Sequence, residues 1–182
     1  MSSRRVAILA IATQSLLMVV AWIASEALAL NTSWGDPGRD IVIGLLAALG
    51  LAAINYILLE RLPANWVVDG VRAVYRELLV PLFARVSRPG IVLIGIAAGI
   101  GEEWFFRGVL QPTLGLVPAS ILFGLAHVGG SRMLAFGVWA TAMGFALGAL
   151  AIATGGLLAP IVAHGVYDIV ALEYIRRGAQ QE

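Results

Sequence analysis

The chain has 182 residues, a formal net charge of +1, 60% hydrophobic residues and 13% charged ones. Soluble domains carry about 45–50% apolar and about 25% charged residues, so a water-soluble globule, a disordered chain and a collagen-like repeat are all excluded. Cysteine is absent and all 12 basic residues are arginine, which removes disulfides, thiolate chemistry and any lysine nucleophile or base.

A helix needs roughly 20 mostly apolar residues to cross a bilayer. Val6–Leu30 and Ile41–Leu59 are the first two such stretches. The first also has the look of a leader, with Arg4 and Arg5 before it and Ala27-Leu28-Ala29 at its end; it is taken here as a span. Residues 60–89 follow. In them Val67, Val71, Val74, Tyr75, Leu78 and Leu82 recur at helical spacing, with Asp69, Arg72 and Arg76 on the other side. This predicts an amphipathic helix in the membrane surface, its arginines near lipid headgroups, or else a loop that only sets topology. Ile91–Leu110 is the third span, a fourth begins near Leu116 and runs past His127, Met133–Ala153 is the fifth and Leu157–Ile175 the sixth. Gly95 and Gly99, and again Gly144 and Gly148, are spaced for close helix packing in lipid.

The expectation is therefore an all-α, polytopic membrane helix bundle. It comprises about six transmembrane helices and a cytoplasmic amphipathic helix, in one domain over residues 1–182. With both termini in the cytoplasm, ten of the twelve arginines fall on the inside.

Ionisable groups within a span cost several kcal/mol unless they have a partner or a task. They cluster here in three places. In Gly101-Glu102-Glu103-Trp104-Phe105-Phe106-Arg107, Glu103 and Arg107 are four apart and share a helix face, whereas Glu102 is turned about 100° away. Glu102 reads either as a general base or as part of one buried ion cluster. His127 follows Phe123 by four residues and reads as a core histidine or as a catalyst. His164 and Asp168 are also four apart, a pairing that suits tautomer control, proton relay or packing. Counted along their helices at about 1.5 Å per residue, the three groups fall in one layer near the membrane midplane or just outside it. That coincidence argues for a single polar cavity.

The ordered set Glu102-Glu103-x-x-x-Arg107, Phe123-x-x-x-His127 and His164-x-x-x-Asp168 resembles the CPBP family of intramembrane proteases, the CAAX-protease and bacteriocin-processing (Abi) family. The resemblance covers about residues 90–175. It implies a helical core around a peptidase site: Glu102 activating water with help from His127, His164 and Asp168 facing the oxyanion, and Glu103, Arg107 and Phe123 supporting them. Many relatives have Asn at position 168. An ionised Asp cannot donate to an oxyanion, so Asp168 must be protonated, orient His164, or bind metal. No cofactor is expected; the alternative is zinc on Glu102, His127, His164 and Asp168. The implied partners are a protein or peptide substrate with a hydrophobic or lipid-anchored segment, and membrane lipid, not nucleic acid. The implied site of action is a membrane, read as a bacterial inner membrane. A non-catalytic immunity or partner-binding protein of the same fold and a small transporter are the competing readings.

Overall fold

The computed structural model describes residues 2–178, and every regular element in it is helical. Met1 and residues 179–182 lie outside the described residues, and with them the placement of the two ends of the expected domain. Seven helices order the described residues: α1 (Ser3–Ala27), α2 (Pro37–Glu60), α3 (Trp66–Val74), α4 (Arg88–Leu114), α5 (Leu116–Ala126), α6 (Leu134–Thr154) and α7 (Leu158–Gly178). Helix α3 runs on through a π-stretch, Tyr75–Leu79, to Phe83.

The helix starts follow local chemistry. Asp36, Asn65 and Ser87 cap α2, α3 and α4 by accepting backbone N–H groups of the first turn. Pro37 and Pro89 stand just inside α2 and α4, where a missing N–H costs nothing. Burial is inverted relative to a soluble protein. Leu16, Leu46, Leu49 and Ile152 are exposed, while Asp40, Glu103 and Ser120 are fully buried. An outside of this kind is stable against acyl chains and not against water.

Five helices are long and apolar enough to cross a membrane: α1, α2, α4, α6 with its leading turn, and α7. The expected fourth span is different. Helix α5 has 11 residues, roughly 16 Å at 1.5 Å per residue, or about half of a ~30 Å hydrocarbon core. It starts at Gly115, whose φ of +91° lets the chain turn sharply out of α4, and it stops at Ala126, before the Gly129-Gly130 turn. It pairs with α6 as a hairpin whose connecting turn reaches α3.

Helix α3 is the expected amphipathic helix, but its contacts are with protein. On its buried face Val71 packs with Leu58 and Leu59 of α2 and with Phe136 and Trp139 of α6. Arg72 does not turn to headgroups. It donates to the carbonyls of Leu58, Leu59 and Leu62 at 2.8–3.1 Å, closing the C-terminus of α2, where acceptors have no partner within the helix. At the other end of the bundle Arg39 does the same for α6, donating to the Thr154 carbonyl at 2.6 Å. There the 28–36 loop is tied to the start of α7 through the Leu157 and Leu158 N–H groups, which donate to Ser33 and Trp34.

Helix α7 runs between α2 and α4, and α1 covers α4. The α4–α7 crossing explains the expected glycine step. A Cβ on Gly95 would sit 2.7 Å from the Gly165 carbonyl oxygen, and one on Gly99 would sit 2.7 Å from that of Ile161. Only hydrogen fits at either place, and the close approach brings the residues that follow Gly99 up to His164.

The Arg72 cap should be measurable. Arg72→Met is expected to lower the unfolding free energy in SDS-titrated mixed micelles by about 1–3 kcal/mol, the cost of stranding buried carbonyls. Arg76→Met, on the exposed face of the same segment, should stay within about 0.5 kcal/mol.

Candidate active site

Helix α4 is not regular through its polar segment. From Trp104 to Leu110 it widens into a π-stretch, ending just before Pro112. The π-stretch of the α3 segment likewise ends before a proline, Pro81. Proline offers no N–H and crowds the carbonyl four residues back; a wider turn accommodates both defects without ending the helix. Glu102 and Glu103 close the regular part, and Arg107 lies in the widened part.

Glu103 is completely buried and holds two partners on one oxygen. Arg107 donates to Oε1 at 3.0 Å, as the four-residue spacing predicts. His164 Nδ1 reaches the same oxygen at 2.7 Å. A carboxylate oxygen only accepts, so Nδ1 carries the proton. Arg107, 4% exposed, also donates to the Gly144 carbonyl at 2.9 Å and lies over the Phe123 ring, 4.5 Å from its centroid. Phe123 is thus the hub between Arg107, His127 and His164, its ring centroid 4.7 Å from that of His127 and 5.8 Å from that of His164.

His127 is the first residue beyond α5. Its Nδ1 lies 2.7 Å from the Phe123 carbonyl oxygen, an acceptor, so Nδ1–H donates there. The neutral ring then has its lone pair on Nε2, which faces Glu102 Oε2 at 3.8 Å. Oε2 is buried and has no protein partner. The other oxygen of Glu102 accepts from Gln14 Nε2 of α1 at 2.6 Å. Asp168 Oδ2 stands 3.7 Å from His164 Nε2, beyond hydrogen-bonding distance.

The structure therefore brings Glu102, Glu103, Arg107, Phe123, His127, His164 and Asp168 into one cluster. It reassigns one contact: the group bonded to His164 is Glu103, from another helix, and not its own neighbour Asp168. Sequence reasoning missed Gln14. The signal was there in a polar amide within an apolar run, but nothing along the chain says which helix an amide will meet.

The donor set does not fit a zinc site. His164 Nδ1 and Arg107 occupy Glu103, and among the described residues no three His, Asp or Glu side chains are disposed to share one ion.

Residues 84–170 match the model of the family described as Type II CAAX prenyl endopeptidase Rce1-like. The resemblance to CPBP proteases carried by the motifs holds over that segment. The uncharacterized protein YpbD of Bacillus subtilis is 36% identical over 107 residues, covering 56% of this chain and 56% of YpbD. The chain thus spans a little over half the length of that curated relative. No solved structure matches it.

Removing Glu103 alone should be severe. Glu103→Leu strands a buried guanidinium and is expected to cost about 3–5 kcal/mol of unfolding free energy in mixed micelles. Adding Arg107→Met to the same chain should restore the part of that loss due to the guanidinium, while His164 Nδ1–H still lacks its acceptor.

Proposed function

We propose that the protein is an intramembrane endopeptidase whose attacking water is activated by Glu102 and His127. The observation that carries this reading is the pair of acceptors, Glu102 Oε2 and His127 Nε2, facing each other 3.8 Å apart. That gap is too long for a direct hydrogen bond, and a water admitted between them, where Oε2 is now buried, would bond to both. Both atoms accept, so the water donates one hydrogen to each and turns a lone pair outward. The side chains of His127 and Asp168 are 28% and 27% exposed, which favours access from a wet cavity, while that of Glu102 is only 13% exposed.

In the reaction the water oxygen bonds to the scissile carbonyl carbon as its proton passes to Glu102, and the carbonyl electron pair becomes an oxyanion. His164 is suited to meet that charge. Its Nδ1–H is fixed on Glu103, and Nε2 points into the 3.7 Å space before Asp168. With carboxylates on both sides, the ring carries a second proton and donates Nε2–H to the oxyanion. Asp168 then stays ionised and supports the imidazolium, which reconciles an Asp with a position where many relatives have Asn. Glu102 returns its proton to the departing nitrogen, the oxyanion pair re-forms the carbonyl as the C–N bond breaks, and the products are an amine and a carboxylic acid, which then gives up its proton to water or the amine. Arg107 balances the charge of Glu103 throughout. No step is routed through a metal.

The substrate class is a protein or peptide with a hydrophobic or lipid-anchored segment beside the cut, such as a C-terminal sorting tail or a secreted peptide. The setting is a bacterial inner membrane with both termini in the cytoplasm, supported by the distribution of the arginines.

Two fluorogenic reporters in proteoliposomes test this: a prenylated CAAX-type peptide, and an unprenylated peptide with a C-terminal apolar tail. Cleavage of at least one is expected. Glu102→Gln and His127→Ala should each lower it by about 10²–10⁴-fold. Full turnover by either variant would sink the mechanism. Phenanthroline treatment is expected to leave the rate unchanged, and loss of activity that zinc restores would transfer the water to a metal.

A further inference from the structure

Helix α1 lies outside the segment matched to the family, yet it enters the site. Thr13 and Ser15 bond to carbonyls of their own helix, Leu9 and Ile11. Gln14, between them, reaches across to another span instead. An amide in the middle of an apolar helix needs a partner in lipid. The one it has is Glu102, at 2.6 Å, a short charge-assisted bond. The atom at Glu102 is Nε2, because a carboxylate oxygen takes only a donor.

Two features show that the contact is built into the fold. Gln14 and Glu102 are 88 residues apart in the chain. The helices also approach here at Gly101, the residue beside Glu102. A Cβ on Gly101 would lie 2.8 Å from the Gln14 carbonyl oxygen and 3.1 Å from its Oε1. Only glycine lets α1 come this close. The Gly101-Glu102 pair is therefore one device, in which the first residue admits the backbone of α1 and the second receives its side chain.

The consequence falls on the reactive oxygen. With Oε1 held by Gln14, the carboxylate plane is set, and Oε2 is left free and turned to His127. We propose that Gln14 is a positioning residue of the hydrolytic site, holding Glu102 in the orientation that presents Oε2 to the attacking water. This rests on the reading of Glu102 as the base.

The test uses full-length protein in lipid nanodiscs and two readouts. One is the infrared carboxylate stretch of Glu102, identified as the band absent from Glu102→Gln. The other is cleavage of whichever reporter the wild type turns over. Gln14→Met keeps the length of the side chain and removes the donor. It should shift the Glu102 band and lower kcat by roughly 10-fold or more, the value of one hydrogen bond to a charged group, with KM little changed. Gly101→Ala retains Gln14 but pushes α1 away, and it should move both readouts in the same direction. Thr13→Val, on the same turn, should move neither.

An unmoved band together with unchanged kcat in Gln14→Met overturns the proposal. If Gln14→Met does not fold, the band in Gly101→Ala decides, a shift supporting the role and no shift refuting it. Full cleavage by Glu102→Gln would instead remove the hydrolytic reading itself. A dead Glu102→Gln beside a fully active Gln14→Met removes only the role of Gln14.

Discussion

A fully buried carboxylate holds this structure together at its centre. Glu103 joins Arg107 on its own helix to His164 on another, and neither cation has water to fall back on. In lipid an unpaired charge is far costlier than at a protein surface, so this triad fixes the relative depth and rotation of α4 and α7. Gly95 and Gly99 add the steric half of the constraint by letting α7 approach to backbone contact. Together they produce a rigid platform, and on it the neighbouring Glu102 is free to face the other way.

The second constraint is the short α5. A full-length span would carry its polypeptide past the layer of the carboxylates. An 11-residue helix stops there and leaves His127 at its end, where the ring can lock Nδ1 onto the Phe123 carbonyl. The widened turn of α4 at Trp104–Leu110 lies opposite, with Phe106 and Phe123 packed edge to face at 5.0 Å. Irregular backbone at membrane depth is tolerated only where protein encloses it, and here it surrounds the polar cluster. Helix irregularity and chemistry therefore coincide in space because the same packing shields both.

Three of the arginines act inside the bundle in two ways. Arg107 neutralises charge in the interior. Arg39 and Arg72 close helix ends at opposite sides of the bundle, replacing the water that a soluble protein would use on those carbonyls. That use of guanidinium, with several fixed donors per side chain, fits a chain that contains no lysine at all.

Much of this was legible in the residues alone. Hydropathy marked the long apolar helices, because crossing lipid demands an uninterrupted apolar run. The four-residue spacing of Glu103 and Arg107 announced their ion pair, because the α-helical step is local geometry. Counting residues along each span placed Glu102, His127 and His164 at one depth. What the sequence left undetermined was every contact made across helices. That α5 stops at half length depends on packing against α6 and on the Gly129-Gly130 turn. That His164 bonds to Glu103 in preference to Asp168, that Arg72 closes α2, and that Gln14 meets Glu102 depend on how helices rotate about their own axes. Rotation is set by the sum of many side-chain contacts between distant segments, and periodicity within one helix carries no record of it.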